Sequence, residues 1–307
     1  MNWSLFLLLL FVLCTIVISV RVLVAYQKTK KAIYGALINT IKCGEDLCPP
    51  VTPLLQPMPV RITTNELDLP TAKYCSTLVY ALETATRQQT TPQYPPAVTI
   101  LGGLQANDLD PMSGAVLLGS AVLWVVFRGS QTTDDWQTDF ELNQSSFLTT
   151  RSTRRHFLPD SIRLHQGFAD RYQQIRAQLL DTVKPYGTAT KIVVTGHSLG
   201  AALATLAGLD LFMNGYQHII VYTFASPRVG DQSFAKLVDR SIKVYRFVNE
   251  TDLIPTLPLA VQPNLLVPAS PSEYSHCGQE LPFSDNWFSL LNNHSMPVYM
   301  KGLESFG

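Results

Sequence analysis

The chain has 307 residues, no net charge at neutral pH, 15% charged residues and 46% hydrophobic ones. That length suits one α/β domain with an extension and is ample for a sizeable core. With no basic excess, nucleic acid is not expected as a partner, and the six scattered histidines lack metal-ligand spacing such as H-E-x-x-H, so neither a metal nor a cofactor is expected.

Leu5 to Val20 is sixteen residues without a charge. As a helix it spans about 24 Å, short of the roughly 30 Å hydrocarbon core, but Arg21 can snorkel and Val22 to Ala25 extend it. A cleaved signal peptide would carry a positive N-terminus, and Met1 to Ser4 has none. Residues 1–27 therefore read as a single-pass membrane anchor or an uncleaved signal, with the membrane as partner. Arg21, Lys28, Lys30 and Lys31 follow the run and argue for a cytosolic catalytic domain. The cysteines and the sequons at Asn143, Asn249 and Asn293 argue for the opposite side, which leaves the topology open. Cys14 lies in the apolar run. Cys43, Cys48, Cys75 and Cys277 allow three pairings, or four free thiols.

Residues 28–70, with six prolines between Lys42 and Pro70, read as a linker or extended wrap. Residues 71–307 read as the folded domain. Apolar residues at 75, 78, 79 and 82 predict a helix over 71–87. Residues 115–118 and 121–127 predict a hairpin turning at Gly119-Ser120, its second strand apolar on both faces and so central. Arg128-Gly129-Ser130 ends that strand, and a polar, acidic segment from Gln131 to Asn143 follows. Apolar residues at 168, 172, 175, 179 and 183 predict a helix that stops before Pro185. Strands are expected over 191–195, 219–225 and 242–248. Helices are expected over 201–211 and 231–240, the latter capped by Asp231. The remainder is irregular until 295–303. Alternating strands and helices imply a mainly parallel sheet covered on both faces.

The third of these strands, 191–195, runs into Gly196-His197-Ser198-Leu199-Gly200 and then a helix. Strand, tight turn and helix give a G-x-S-x-G pattern the context in which a serine hydroxyl is held at a strand end over a helix N-terminus. A serine nucleophile needs a base in contact and an acid to orient the base. In α/β-hydrolase folds the chain order is serine, acid, histidine. Asp252 lies in a strand-end loop, whereas Asp231 and Asp239 belong to a helix. Only His276 and His294 follow Asp252, and spacing alone barely separates them. The backbone N–H of Leu199 and a donor from Ser130 suit an oxyanion hole.

Several stretches together resemble the class 3 (fungal-type) lipases, an α/β-hydrolase family. They are Phe127-Arg-Gly-Ser130, Asp135-Trp136 with Asp139, His165-x-Gly-Phe168, Thr195 to Ala204, Ser226-Pro-Arg-Val-Gly230 with Phe234, Tyr245 to Asn249 with Asp252 and Pro255, Tyr274-x-His-x-Gly278 with Glu280-Leu281, and His294 with Tyr299. The resemblance covers about 72 to 303 and implies Ser198 as nucleophile, Asp252 as acid, His294 as catalytic base, and Ser130 and Leu199 as the oxyanion pair. It gives His276, His197 and His165 non-catalytic positions, and it puts a lid over the segment from Gln131 to Asn143. The function it implies is a membrane-anchored serine lipase or esterase acting on acylglycerols or phospholipids through an acyl-enzyme. The alternatives are a non-catalytic membrane or scaffold protein on the same fold, and an acyltransferase using the same triad. Oligomeric state is left open.

Overall fold

A computed structural model describes residues 55–59, 61–106, 112–130, 144–146, 162–258, 260–262, 272–287 and 290–306. The expected anchor at 1–27, most of the expected linker, Cys14, Cys43, Cys48, Asn143 and the acidic segment from Gln131 to Asn143 lie outside the described residues. Among the described residues no helix is long and apolar enough to cross a membrane.

The described chain enters along the core. Gln56 N donates to Thr77 Oγ1 at 2.9 Å, Ile62 is buried, and Asp68 N donates to Tyr222 Oη at 3.1 Å. Asp68 then caps helix α1 (Leu69–Gln88), its carboxylate accepting from Thr71 N at 3.2 Å, with a proline in the first turn where a missing N–H has no consequence. Strands β1 (Thr99–Leu104), β2 (Gly114–Gly119) and β3 (Val122–Phe127) form an antiparallel meander. The hairpin turn is Ser120-Ala121, one residue later than expected. Both residues have positive φ, 51° and 57°, the backbone twist a two-residue hairpin loop needs. A short pair, β4 (Gln144–Ser146) with β5 (Arg163–His165), precedes helix α2 (Gln166–Val183).

The parallel part of the sheet follows as β6 (Lys191–His197), helix α3 (Leu199–Met213), β7 (Ile219–Phe224), helix α4 (Gln232–Ser241) and β8 (Lys243–Asn249). Asp231 caps α4 as expected, accepting from Phe234 N at 2.8 Å. After the two-residue ribbon β9 (Val261–Gln262) with β10 (Ser272–Glu273), β11 (Gln279–Phe283) adds a last parallel strand. Helices α5 (Leu290–His294) and α6 (Met296–Gly302), followed by a 3-10 turn over Leu303–Phe306, end the described chain. The sheet order is β1-β2-β3-β6-β7-β8-β11, parallel from β3 onward.

Alternation along the central strands divides the core into two layers. On β3, Leu123, Val125 and Phe127 face a cluster with α2, α3 and α4, while Val122, Trp124 and Val126 face one with α1 and α6. The edges β1 and β11 and the helix α5 were not expected from the sequence. β1 carries two glycines, β11 a proline and two polar residues in five, and α5 has only five residues, so none shows a clear period. Cys75 and Cys277 are free, buried and packed into opposite layers, which rules out a bridge between them. Burial pushes the Cys277 thiol up to about 12.

One buried charge ties α2 to α3. Asp210, 1% exposed, accepts from Tyr172 Oη at 2.8 Å and from Arg176 Nε and Nη2 at 2.8 and 3.0 Å. Asp210→Ala should lower the unfolding free energy by about 3 kcal/mol, because it leaves a partly buried guanidinium and a buried phenol without their acceptor. Urea unfolding followed by circular dichroism measures it.

Candidate active site

The register of the parallel strands brings three loops together. Phe127 pairs with Gly196 and His197 with Phe224, so the ends of β3, β6 and β7 lie side by side at one rim. Ser198 stands at the sharp turn from β6 into α3, at φ 55° and ψ −122°, a conformation costing about 1–3 kcal/mol for a residue with a side chain. Its neighbours explain the glycine spacing. A Cβ on Gly196 would lie 2.1 Å from Gly200 O, and one on Gly200 would lie 2.4 Å from Arg128 O. Only hydrogens fit where the turn folds back on itself and against the end of β3. The Leu199 N–H belongs to the first turn of α3, where backbone donors have no partner within the helix.

The loop after β8 and the end of α5 bring the other two side chains to Ser198. His294 Nε2 lies 2.9 Å from Ser198 Oγ and accepts its hydroxyl proton, while His294 Nδ1 donates to Asp252 Oδ2 at 2.8 Å. Asp252 Oδ1 accepts from Ile254 N at 2.9 Å, and Oδ2 also accepts from Tyr299 Oη at 2.7 Å. Tyr299 in turn accepts from Asn249 N at 3.2 Å. Burial, with the Asp252 carboxylate beside it, holds the Tyr299 phenol well above its ordinary pKa, so it remains a donor. All three of Ser198, Asp252 and His294 are buried. His294 closes the short helix α5 and does not lie in irregular chain, as the sequence suggested.

His276 lies apart from this group. Its Nε2 donates to Pro255 O at 2.8 Å, and burial together with Arg246 pulls its pKa down to about 3. His165 is buried at the start of α2, stacked on Phe168 at 4.2 Å between ring centroids. The sequons beside the site take no glycan in this fold. Asn249 is fully buried with its amide donating to Asp285 O and Asn293 O, and Asn293 is buried with its amide donating to Thr251 O. Ser130, half-buried, ends the loop Arg128-Gly129-Ser130, whose start is fixed by Arg128 N to Ser113 O at 3.1 Å and Arg128 Nε to Met112 O at 2.8 Å. Among the described residues no three His, Cys, Asp or Glu side chains converge to hold a metal ion.

Sequence reasoning missed Glu83 and the placement of His197. Glu83 lies on α1 four residues after Val79, on the apolar face, and a carboxylate inside that stripe was the available signal. It is buried against His197, Oε1 to Nδ1 at 2.9 Å. Burial pushes the Glu83 pKa up, but His197 and the Gly129 N–H outweigh it and hold the carboxyl below 4.5. Burial likewise pulls His197 down, and Glu83 outweighs it, holding the imidazole above 6.5.

The lowered Glu83 pKa contributes stability present above pH 4.5 and lost as pH falls through the folded value. The raised His197 pKa contributes stability present below pH 6.5 and lost as pH rises through the folded value. Glu83→Gln should therefore destabilise the protein by about 3 kcal/mol between pH 4.5 and 6.5 and by less on either side. Denaturant melts of both proteins across a pH series measure it.

Comparison with known proteins follows the same geometry. The sequence model of the family described as "Lipase (class 3)" matches residues 124–262. A lipase of Rhizomucor miehei is 34% identical over 173 residues, covering 53% of this chain and 42% of that protein. Phospholipase A1-IIgamma of Arabidopsis thaliana is 32% identical over 225 residues, covering 62% and 50%. The chain thus spans about half the length of these curated relatives. Among solved structures, the triacylglyceride lipase of Rhizomucor miehei aligns with a TM-score of 0.52 at 28% identity, covering 71% of this chain and 80% of that one. Residues 124–262 thus match the class 3 lipase family, and the chain shares the α/β-hydrolase fold of the solved fungal lipase.

Proposed function

We propose that the protein is a serine lipase or esterase that hydrolyses the carboxylic ester bonds of acylglycerols or phospholipids. The observation that carries this reading is the continuous hydrogen-bonded chain from Ser198 Oγ through the His294 ring to Asp252, at 2.9 and 2.8 Å. Its neighbours among known proteins support the substrate class, since they are named lipase and phospholipase A1.

In the proposed reaction Ser198 Oγ attacks the ester carbonyl carbon while His294 Nε2 takes the hydroxyl proton. The carbonyl π pair moves to oxygen, and the N–H groups of Leu199 and Ser130 hold the oxyanion. Collapse expels the alcohol, which leaves with the proton from His294, and the acyl group stays on Ser198. A water then attacks the acyl-enzyme carbonyl carbon, giving its proton to His294, and collapse breaks the bond to Ser198 Oγ, which takes that proton back as the fatty acid leaves. Asp252 keeps the imidazole oriented and stabilises the imidazolium, and Tyr299 keeps the carboxylate in place. The uncharged run from Leu5 to Val20 supports a further part of the proposal, that the N-terminus holds this domain at a membrane surface.

Ser198→Ala should reduce hydrolysis of a short p-nitrophenyl ester by about 10⁴-fold or more, with unchanged thermal stability. A fluorophosphonate should label the parent protein on Ser198 and leave the variant unlabelled. Hydrolysis at the parent rate by Ser198→Ala rejects the mechanism. A triacylglycerol, a diacylglycerol and a diacyl phospholipid assayed side by side separate the two substrate classes.

A further inference from the structure

A second titratable pair lies directly behind the site, and the proposed reaction does not use it. Glu83 Oε1 takes two bonds, from Gly129 N at 2.9 Å and from His197 Nδ1 at 2.9 Å. The other ring nitrogen, His197 Nε2, lies 2.7 Å from the backbone oxygen of His294. A carbonyl oxygen only accepts, so Nε2 carries a hydrogen, and a carboxylate oxygen that already takes a backbone N–H accepts from Nδ1 as well. Both nitrogens donate at once only in the imidazolium form. Gly129 is part of the same fit, since a Cβ there would lie 2.9 Å from Glu83 Oε1 and 3.0 Å from His197 Nδ1.

We propose that Glu83 and His197 form a positioning ion pair that sets the Arg128–Ser130 loop and the backbone of His294 against each other. This rests on the reading of His294 as the base and Ser130 as an oxyanion donor. The pair reaches the two sides of the reaction through backbone atoms. Glu83 fixes the peptide immediately before Ser130, and His197 fixes the carbonyl of His294 itself. Both partners are buried, so a neutral or apolar pair would hold the fold with less desolvation. What the charged pair adds is two short, charge-assisted bonds with fixed direction, in a site where a displacement of about 1 Å lowers the rate about a hundredfold. Facing His197 are Glu83 from α1, Asp252 from the loop after β8, His294 from α5 with ring centroids 4.6 Å apart, and Tyr299 from α6 at 5.8 Å, while Arg87 acts on Glu83. Neither Glu83 nor His197 touches Ser198 Oγ in this arrangement, so their part is positioning.

The test uses the full chain with a p-nitrophenyl ester, and counts active molecules by fluorophosphonate titration so that rates are per competent site. Glu83→Gln keeps the shape and an acceptor for the Gly129 N–H but removes the charge that keeps His197 protonated. Its kcat per titrated site should fall about ten- to a hundredfold with KM within about twofold, and the alkaline limb of kcat should move to lower pH. A role in stability alone would lower the number of titrated sites and leave kcat per site and its pH profile in place, which overturns the proposal. The Glu83→Gln/His197→Gln double variant removes both charges together, leaves no unpaired ion, and should show the same loss per site. Nitrogen NMR of the unsubstituted protein tests the pair without any variant. Both His197 nitrogens should be protonated at neutral pH, and a neutral ring overturns the proposal even where neither variant folds. A parent protein that neither hydrolyses nor labels instead rejects the triad reading, an outcome distinct from an active parent with unaffected variants.

Discussion

The backbone at Ser198 is the constraint on which the rest of the structure depends. A residue with a side chain is held at positive φ between a buried strand and a buried helix, and the chain reverses so tightly that Gly196 and Gly200 meet without room for a Cβ on either. Strain of this kind persists only where the surroundings over-determine it. Here β6 is paired on both sides, by β3 and by β7, along nearly its whole length. α3 is buried along almost its entire run, from Leu199 to Leu211. β6 contributes to both core layers and α3 to one of them, so neither can move to relax the turn without opening the core.

Once the turn is fixed, parallel pairing does the remaining assembly. The strands that carry Ser198, the Arg128–Ser130 loop and Asp252 all point their carboxyl ends toward one rim, so functional groups far apart in the chain arrive side by side. What then holds them is a set of buried polar groups bonded to one another. Asp252 takes donors from Ile254 N, His294 and Tyr299. Tyr299 is locked between Asn249 and Asp252, and its ring packs edge-on against Phe283. Asn249 reaches Asp285 and Asn293 and so ties the end of β8 to the segments before and inside α5. Each of these bonds is strengthened by burial, and each lost partner would leave an unsatisfied buried group.

Two buried histidines, adjacent in space, are set to opposite tasks by their partners. His294 faces a hydroxyl on one side and a carboxylate on the other, an arrangement suited to a ring that gains and loses a proton. His197 faces a carbonyl and a carboxylate, which suits a ring that keeps both of its protons. The distinction lies in the acceptors, not in burial, which the two share.

The periodic elements were legible in the chain itself. The helix spacing at 168, 172, 175, 179 and 183 appears as the buried face of α2, and the apolar run ending at Phe127 appears as a strand buried on both faces, because period and burial are local properties of side chains. The G-x-S-x-G context fixed a strand, a turn and a helix for the same reason. The edge strands β1 and β11 and the short α5 were not legible. They are held by neighbours contributed from elsewhere in the chain, not by their own pattern. Spacing could not choose between His276 and His294, since both follow Asp252. Only tertiary structure sends one to the Pro255 carbonyl and the other to Asp252 and Ser198. Nor could spacing give Glu83 a partner 114 residues away. Local sequence determines which segments fold and which residue types are available for chemistry. The distances between them are decided by strand register and by where buried charges find their counter-charges, and those are properties of the assembled core.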